Sequence, residues 1–541
     1  MEDARLREAR RLAGLLEERK KDWVPRWRES ALWIAPWRGR FDAGLNVGSD
    51  DAESRERILD GTAGRALRVL AAGLHSGLTS PARPWFRLKR GGDADVESGP
   101  ERRWLDVVEQ NLYSLLAGSN FYQAVHSLYM ELALFGSACL YVESDPDRHL
   151  RFACPTCGEF AWACDTAGRV DTVLRHILMT PRQLASAFGE DVLSRGTKRL
   201  LREKPDTPLE VMHLVMPRPE RNPAAFGNLH MPFASLVWEA KEAEGLLHEG
   251  GFEEFPFLCA RWDVLGADIY GRSPAMEILP DVRMLQEMTR SRLLAVHKMV
   301  NPPMRVPAGF KQRLSLIPGA INYVNPHQPE GIGPLYQISP DLSAMARTVE
   351  DVRRAVREGF FNDLFMMFTG EGRSNITATE IAERGEEKML LLGPVIERHQ
   401  TEILDPLLVR VFGLASRAGL LPEPPPSMRG GELKVEYVSS LAQAQRRGGA
   451  EAVRRLAAEV SSMAAVSPGV LDKIDFDQAV DELAAISGVP ARLVRSDAEV
   501  AALRTPARSV GMEAGGVDLA ETLQGFLRAT DPGATQGGPT S

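Results

Sequence analysis

Two amphipathic segments on either side of a loop-rich insert constrain the fold of this chain more than any other feature. In the first segment, apolar residues fall within a sector of roughly 140° when plotted at 100° per residue: Val282, Leu285, Met288, Leu293, Val296 and Met299. Charged residues such as Arg283, Glu287 and Arg290 lie opposite. The helix is expected to end at Asn301, because a residue before proline resists helical dihedral angles.

The second segment begins near Asp341 and carries an apolar stripe of Met345, Val349, Val352, Val356 and Phe360. Each segment has about 20 residues, which gives a helix of roughly 30 Å at about 1.5 Å per residue. The residues between them, 301–340, are rich in Pro, Gly and Asn. The pattern predicts a stalk of two helices that carries a compact tip.

The first 274 residues predict an α+β lobe. Helical patterns cover residues 3–40, 58–78, 101–117 and 120–135, and period-two patterns then predict short strands in 139–179, 209–217, 231–240 and 255–265. Thr180 and Gln183 form a capping box with Pro181 at the first helical position. Four tryptophans near the start have spacings that suit one buried helical face, with nucleic-acid stacking as the alternative role: Trp23, Trp27, Trp33 and Trp37.

The second half is mostly helical. A polar loop follows Phe361, and a second capping box, Thr377 to Glu380, opens a long helix to about Ala418. Pro394 and Pro406 lie inside that helix and predict kinks, since proline removes a backbone hydrogen bond. A linker and strand at 419–440, a helical module at 441–503 and a tail at 504–541 complete the chain.

Composition excludes several classes of protein. With 44% hydrophobic and 26% charged residues, the chain resembles a soluble globular protein. Its longest nearly apolar stretch, residues 132–142, is too short to span a bilayer as a helix. The charged N-terminus lacks the apolar core of a secretory signal, so we expect synthesis and assembly in the cytoplasm. A net charge of −8 predicts that contact with DNA is loose or local.

Motifs for catalysis are missing from the sequence. It has no phosphate-binding GxxxxGK[ST] loop, no GxSxG nucleophile elbow and no HExxH zinc site. The weak metal candidate is Cys154-Pro-Thr-Cys157 with Cys164 and His176, because CxxC followed by glycine resembles a zinc knuckle. A structural zinc site needs four ligands, so reduced thiols in a turn are the preferred interpretation, and neither an enzyme nor a cofactor is predicted.

Four separated stretches occur in the order found in one family of phage proteins. These are AAGLHSGLTSPARPWFRL at 71–88, RWDVLGADIYGRSPAMEILPDVRMLQEM at 261–288, NITATEI with LLGPVIERHQTEILDPLLVRVF at 375–412, and DKIDFDQAVDEL at 472–483. The chain resembles portal proteins, the head-to-tail connectors of short-tailed, podovirus-type bacteriophages, over about residues 5–500.

The resemblance implies a homo-oligomeric ring, generally of twelve subunits, at one capsid vertex of the virion. Its implied partners are the large terminase subunit, major capsid and scaffolding proteins, tail adaptor proteins, and double-stranded DNA that passes through without sequence specificity; a membrane is not among them. The ring would be assembled in the host cytoplasm.

The family's parts map onto the segments above. The resemblance implies a wing at 1–274, stem helices at 275–300 and 341–361, a clip at 301–340, a tunnel loop at 362–376, a long kinked helix at 377–418 and a crown at 441–503. The tunnel-loop residues implied to face the DNA channel are Thr369, Gly370, Glu371, Gly372, Arg373 and Ser374. Arg373 is the expected phosphate contact, and Glu371 would weaken its hold. The alternatives are a zinc-containing nucleic-acid-processing enzyme and a monomeric scaffolding protein.

Overall fold

The computed structural model describes residues 4–41, 58–91, 99–241, 243–306, 315, 333–336, 341–367, 392–430 and 433–438, together with scattered residues between 456 and 500. The chain divides into two compact units, Met1–Arg447 and Gly448–Ser541. All elements named below belong to the first unit. It combines helices with antiparallel sheets, as the α+β expectation requires.

Helices dominate the first 135 residues. In chain order the elements are α1 Ala4–Lys21, α2 Val24–Ile34, α3 Thr62–Leu78, the strand β1 Phe86–Arg90, α4 Gly99–Gly118 and α5 Phe121–Phe135. Helix α5 is buried along most of its length and ends at Gly136, whose φ is 72°. A Cβ atom at Gly136 would lie 2.5 Å from the backbone of the 271–272 segment, so glycine is required there.

The tryptophan segment is only partly as expected. Trp23 and Trp27 are buried, and the Trp27 indole donates a hydrogen bond to the Phe135 carbonyl at 3.0 Å. Trp33 is half-buried, whereas Trp37 is 53% exposed because α2 ends at Ile34 and Trp37 lies beyond the helix. The prediction of one buried face is therefore wrong for Trp37.

Eight strands follow α5: β2 Ser137–Asp145, β3 His149–Ala153, β4 Phe160–Cys164, β5 Val170–Met179, β6 Leu209–Pro217, β7 Phe233–Glu239, β8 His248–Phe252 and β9 Phe257–Arg261. They form an antiparallel sheet of order β3-β2-β9 and a five-stranded antiparallel meander, β4-β5-β6-β7-β8. Strands were predicted at all of these places except β8.

Two short helices lie between β5 and β6: α6 Pro181–Phe188 and α7 Arg195–Glu203. The predicted capping box of α6 is confirmed. The Thr180 hydroxyl accepts from the backbone nitrogen of Gln183 at 3.3 Å, and the side-chain oxygen of Gln183 accepts from the backbone nitrogen of Thr180 at 2.8 Å. Helix α7 was not predicted, because its nine residues carry a charged stripe and too few apolar side chains for a periodic signal.

The helix pair and its surroundings come next: α8 Pro274–Glu277, α9 Leu279–Val300, β10 Met304–Arg305, β11 Gly333–Pro334, α10 Leu342–Gly359 and α11 Asn362–Met367. Helices α9 and α10 coincide with the two predicted stem helices, and the pair is called the stem below. Strands β10 and β11 pair antiparallel at its outer end, so the two stem helices run in opposite directions. Both predicted stem helices are confirmed as helices.

The long helix is described from residue 392 onward. It passes through a π turn, Gln400–Leu404, into α12 Asp405–Arg417, and the chain later forms β12 Leu433–Tyr437, which pairs with β1. The π turn lies directly before Pro406, where the missing N–H interrupts the regular hydrogen-bond pattern. The predicted capping box at Thr377 and Glu380 lies outside the described residues.

Helix α1 packs on one face of the five-stranded sheet. Its apolar side, which includes Leu6 and Leu16, contacts Leu174, Leu214 and Trp238. None of the helices in the described part of the chain has the length and hydropathy required to cross a membrane.

An ionic cluster holds the C-terminal end of α1 on this sheet. His176 of β5 donates from Nε2 to Glu17 of α1 at 2.9 Å and from Nδ1 to Glu210 of β6 at 2.7 Å. Lys20 also contacts Glu17, at 2.7 Å. Burial lowers the pKa of His176, but the two carboxylates outweigh burial, and its pKa is raised above the usual value. The pKa of Glu17 and that of Glu210 are lowered.

We expect the cluster to make the docking of α1 dependent on pH. The contribution of His176 is fully present below the pKa of an unfolded histidine, about 6.5, and is lost as pH rises through the raised folded pKa. The two carboxylates lose theirs as pH falls through their lowered values. After correction for the intrinsic pH dependence of amide exchange, hydrogen exchange of α1 amides should therefore be slowest in mildly acidic solution. The substitution His176→Gln should accelerate it at pH 6 by roughly tenfold or more, since hydrogen bonds to charged groups contribute about 1.5–3 kcal/mol.

His149→Gln is the matched control, because His149 is exposed and lies on β3, outside the five-stranded sheet. If the corrected exchange rate in the wild-type protein did not change between pH 6 and pH 9, the cluster would not control the docking of α1.

Candidate functional site

The base of the stem is attached to the core through the short segment before α3. Gln286 of α9 accepts hydrogen bonds at Oε1 from the backbone nitrogens of Leu59, at 2.8 Å, and Asp60, at 2.9 Å. Its Nε2 donates to the Asp60 carbonyl at 2.8 Å. One buried amide thus satisfies three backbone groups and fixes the position of α9 relative to α3.

The Asp60 carboxylate joins the same segment to α10. Arg353 donates to Asp60 Oδ2 from Nε at 2.9 Å and from Nη2 at 2.8 Å. Asp60 Oδ1 accepts from the Thr62 nitrogen at 2.8 Å, near the start of α3, and this explains why α3 begins at Thr62 and not at Ile58 as predicted. Burial raises the pKa of Asp60, but the bonds from Thr62 and Arg353 together outweigh burial. The pKa of Asp60 is therefore lowered, and the carboxyl group is held ionised.

A second carboxylate extends this network along α10. Glu350 accepts from Arg353 at 3.2 Å and from Arg357 at 2.6 Å. The pKa of Glu350 is lowered by these two bonds, and the pKa of Arg353 is raised, mainly by its bond to Asp60. The basic side chains of the inner half of α10 are therefore occupied with partners inside the molecule.

One face of α9 continues from the core into solvent. Residues at alternating spacings of four and three lie on this face: Val282, Gln286, Thr289, Leu293, Val296 and Val300. The first three are buried, Val296 is half-buried, and Leu293 and Val300 are 42% and 74% exposed. Helix α10 shows the same gradient, from buried Val352 and Val349 to exposed Leu342. The outer half of the stem thus keeps the pattern of a packed helix without being packed.

The stem is basic in a chain that is acidic as a whole. Helix α9 has four basic side chains, Arg283, Arg290, Arg292 and Lys298, against Asp281 and Glu287. Helix α10 has four, Arg347, Arg353, Arg354 and Arg357, against Glu350, Asp351 and Glu358. Arg290 and Lys298 are exposed and form no ion pair with another described residue. The outer stem therefore offers positive charge to a partner.

The six candidate tunnel-loop residues, Thr369, Gly370, Glu371, Gly372, Arg373 and Ser374, lie outside the described residues. The chain that leads to them is fixed to the core. Phe365 of α11 packs so closely on Gly73 of α3 that a Cβ there would lie 2.3 Å from the ring. In the side-chain orientation that suits its surroundings, with the oxygen and nitrogen exchanged, the Asn362 amide donates to the Ala66 carbonyl at 3.0 Å. The entry to the loop is therefore anchored on α3, the helix that also begins at the stem base.

Three ion pairs, two of them with a buried arginine, attach the long helix to the sheet region. Arg261 of β9 donates from Nη2 to Glu402 of the π turn at 2.5 Å and from Nε at 3.0 Å. Glu254, in the turn before β9, binds Arg410 at 2.9 Å and Arg417 at 2.5 Å. Burial lowers the pKa of both buried arginines, and the paired carboxylates raise it. At Arg261 the bond to Glu402 outweighs burial and the pKa is raised, whereas at Arg410 burial prevails and the pKa is lowered.

The candidate metal ligands Cys157 and Cys164 have different hydrogen-bond partners. Cys157 donates from Sγ to the Ser137 carbonyl at 3.3 Å, and Cys164 accepts a bond from Arg261 at 3.7 Å. Burial raises the pKa of the Cys154 and Cys157 thiols well above the usual value, which opposes thiolate formation. His176 is bound to carboxylates. Within the described residues, no group of three or more Cys, His, Asp or Glu side chains is arranged to hold a metal.

Sequence reasoning missed the residues that organise the stem base. Asp60 and Gln286 are single polar residues without a motif, and they are separated by 226 positions in the chain. One signal was available, because Gln286 interrupts an apolar face. A polar residue at such a position is expected to have a buried partner.

Comparison with known proteins finds similar sequences over nearly the whole chain. Residues 6–494 match the model of a family described as "Bacteriophage head to tail connecting protein". The "Probable portal protein" of Bordetella phage BPP-1 is 39% identical over 495 residues, which cover 91% of this chain and 89% of that relative. The "Portal protein" of Salmonella phage epsilon15 is 34% identical over 500 residues, covering 92% and 89%.

A solved structure titled "Virion of native gene transfer agent (GTA) particle" aligns with 80% of this chain and 94% of its own. The sequence identity is 12% and the TM-score is 0.33.

A substitution at the stem base tests the contacts of Asp60 directly. Asp60→Ala leaves the Arg353 guanidinium without its buried partner and removes the bond to the Thr62 nitrogen, so we expect a loss of about 3 kcal/mol in unfolding free energy. Asp351→Ala is the control, because the exposed Asp351–Arg354 pair should contribute about 1 kcal/mol or less. Both are measured by chemical denaturation, with hydrogen exchange in α9 and α10. Equal effects of the two substitutions would contradict the role of Asp60.

Proposed function

The chain belongs to the family of bacteriophage head-to-tail connecting proteins, and from this premise we propose that it is the structural portal protein of a phage. In this proposal copies of the chain form a ring, generally of twelve subunits, at one vertex of the capsid. Double-stranded DNA enters and leaves through the ring. The chain itself has no catalytic activity and needs no cofactor.

The observation that carries the proposal is the gradient of burial along the stem. The face that begins at buried Val282 ends at Val300, which is 74% exposed. An apolar face of this kind is unfavourable in water and is typical of a protein interface. A neighbouring copy of the same chain offers an equally exposed stem, so stems packed side by side would cover Leu293 and Val300 in every subunit.

Side-by-side packing leaves other stem surfaces for the channel. On α9, Arg290, Leu294 and His297 share a stripe at spacings of four and three, next to the apolar face. Lys298 borders that stripe. We assign this mixed and mainly basic surface to the lumen, where it would attract the DNA backbone without the dense positive charge of a tight binding site.

The tunnel loop, Thr369 to Ser374, is assigned to the narrowest part of the channel in the same proposal. Support comes from the resemblance and from the anchoring of α11 on α3, which would hold both loop and stem to one helix. The proposed partners are the large terminase during packaging, the major capsid and scaffolding proteins, and tail adaptor proteins afterwards. The proposed location is the virion, after assembly in the host cytoplasm.

Val300→Glu should prevent assembly, because a charge would be buried between adjacent stems in every subunit. Native mass spectrometry and electron microscopy should show rings for the wild-type protein and smaller species for the variant. Val409→Glu is a matched control, since Val409 is also an exposed helical valine, 61% exposed on α12. Rings of the Val300→Glu variant with wild-type stability would refute the stem interface, and a wild-type chain that never formed rings would refute the portal proposal.

Arg373→Ala tests the tunnel loop separately. We expect rings of normal size and a changed efficiency of DNA packaging or retention, because one guanidinium per subunit would be removed from the channel. Packaging is measured as DNA protected from nuclease in particles assembled with the variant. If the substitution abolished ring assembly, the loop would belong to an interface and not to the lumen.

A further inference from the structure

The helix α7 carries a separate basic surface far from the stem in the sequence. Arg195, Lys198, Arg199 and Arg202 fall within a sector of roughly 100° on this helix. The three arginines are exposed, and the opposite side is held by buried Thr197. No other residue of α7 lies in that sector, so the surface is a continuous ridge of positive charge, here called the α7 ridge.

Few acidic groups neutralise the α7 ridge. Arg195 lies 3.8 Å from Glu244, and Lys198 donates to the Asp191 carbonyl at 3.0 Å. Arg199 and Arg202 form no ion pair with any residue in the described part of the chain. Glu203, the one acid of the helix, lies outside the sector of the ridge, about 40° beyond Arg199 at its edge, and forms no ion pair with a described residue.

The helix is positioned by its surroundings, which keeps the ridge outside. Its N-terminus is capped by Ser194, whose hydroxyl accepts from the Thr197 nitrogen at 3.2 Å. The Ser194 nitrogen donates to buried Glu239 of β7 at 3.1 Å. The cap and the bond to β7 fix the rotation of α7, so that Thr197 faces inward and Arg199 and Arg202 face solvent.

We propose that the α7 ridge binds the phosphate backbone of double-stranded DNA without sequence specificity, at a place distinct from the channel. The chemistry of the surface favours this partner over an acidic protein. Its sector contains no apolar or aromatic side chain, whereas the centre of a protein–protein interface is usually apolar. Interfaces with nucleic acid are more polar and much more positively charged, and arginine suits phosphate oxygens.

This inference rests on the proposed function for its source of DNA, since a portal subunit in a filled capsid lies beside packaged DNA. It adds a contact outside the lumen. With roughly 1.5 Å of rise per residue, the guanidinium-bearing positions 195, 199 and 202 extend over about 10 Å of helix. A duplex carries a charge about every 1.7 Å of its axis, so several phosphates lie within reach of the ridge.

The test measures the salt dependence of DNA binding by the full-length protein. Fluorescence anisotropy with two duplexes of unrelated sequence is recorded from low to high salt, for the wild type and for Arg199→Gln with Arg202→Gln. Each lost phosphate contact should reduce the slope of log K against log salt by about 1, so we expect a reduction of about 2 for both duplexes. An unchanged slope would overturn the proposal.

The matched control is Arg7→Gln with Arg11→Gln. These arginines lie one turn apart on the exposed side of α1, and the substitution changes net charge by the same amount. Its slope should equal that of the wild type. A similar loss in the control would mean that overall charge, and not the α7 ridge, governs binding. A ridge variant that lost poly-glutamate binding but kept DNA binding would assign the surface to an acidic protein instead, and would also overturn the proposal.

A second measurement uses the wild-type protein and so does not depend on whether the variant folds. Modification by an arginine-selective dicarbonyl reagent, read by mass spectrometry, should decrease at Arg199 and Arg202 when DNA is added, and should remain unchanged at exposed Arg148. Absence of protection at both ridge arginines would overturn the proposal. Electron microscopy of the same samples shows whether rings are present, so failure of the α7 ridge is distinguishable from failure of the portal assignment.

Discussion

The buried carboxylate of Asp60 is the constraint on which the arrangement of the stem depends. A charge that is 95% removed from solvent must be compensated, and the carboxylate is bonded by the Thr62 nitrogen at the start of α3 and by Arg353 of α10. Gln286 of α9 bonds the backbone of the same residue. Displacing any one of these elements would leave a buried polar group unsatisfied. The two stem helices are therefore fixed at their base by polar contacts, while their outer halves need no core of their own.

A fixed base explains how an apolar face can continue into solvent without collapsing on the same molecule. Val282 and Leu285 pack in the core, but Leu293 and Val300, farther along α9, remain exposed. The same helix thus serves intramolecular packing at one end and, in the proposed ring, intermolecular packing at the other. The anchoring of α11 on Gly73 of α3 connects the approach to the tunnel loop to this base. Stem and loop would then respond together to a shift of α3.

Periodicity predicted the elements whose information is local. The stem helices, four of the five meander strands and the Thr180 capping box follow from residues close in sequence and are confirmed. The pairing of β1 with β12 joins Phe86 to Tyr437, and no local pattern encodes such a distant partner. Asp60 and Arg353 are separated by 293 positions and were missed for the same reason. The role of the loop from Thr369 to Ser374 came from resemblance alone and stays a prediction.

The distribution of charge reconciles an acidic chain with a DNA-handling role. A net charge of −8 argues against tight binding over the whole surface, yet positive charge is concentrated on the outer stem and on the α7 ridge. On an acidic background, a few exposed cations can guide a polyanion locally while each contact remains weak and sensitive to salt. In the proposed channel, weak contacts favour movement of the duplex. On α7, where Arg199 and Arg202 form no ion pair with a described residue, the same physics favours holding DNA that does not need to move.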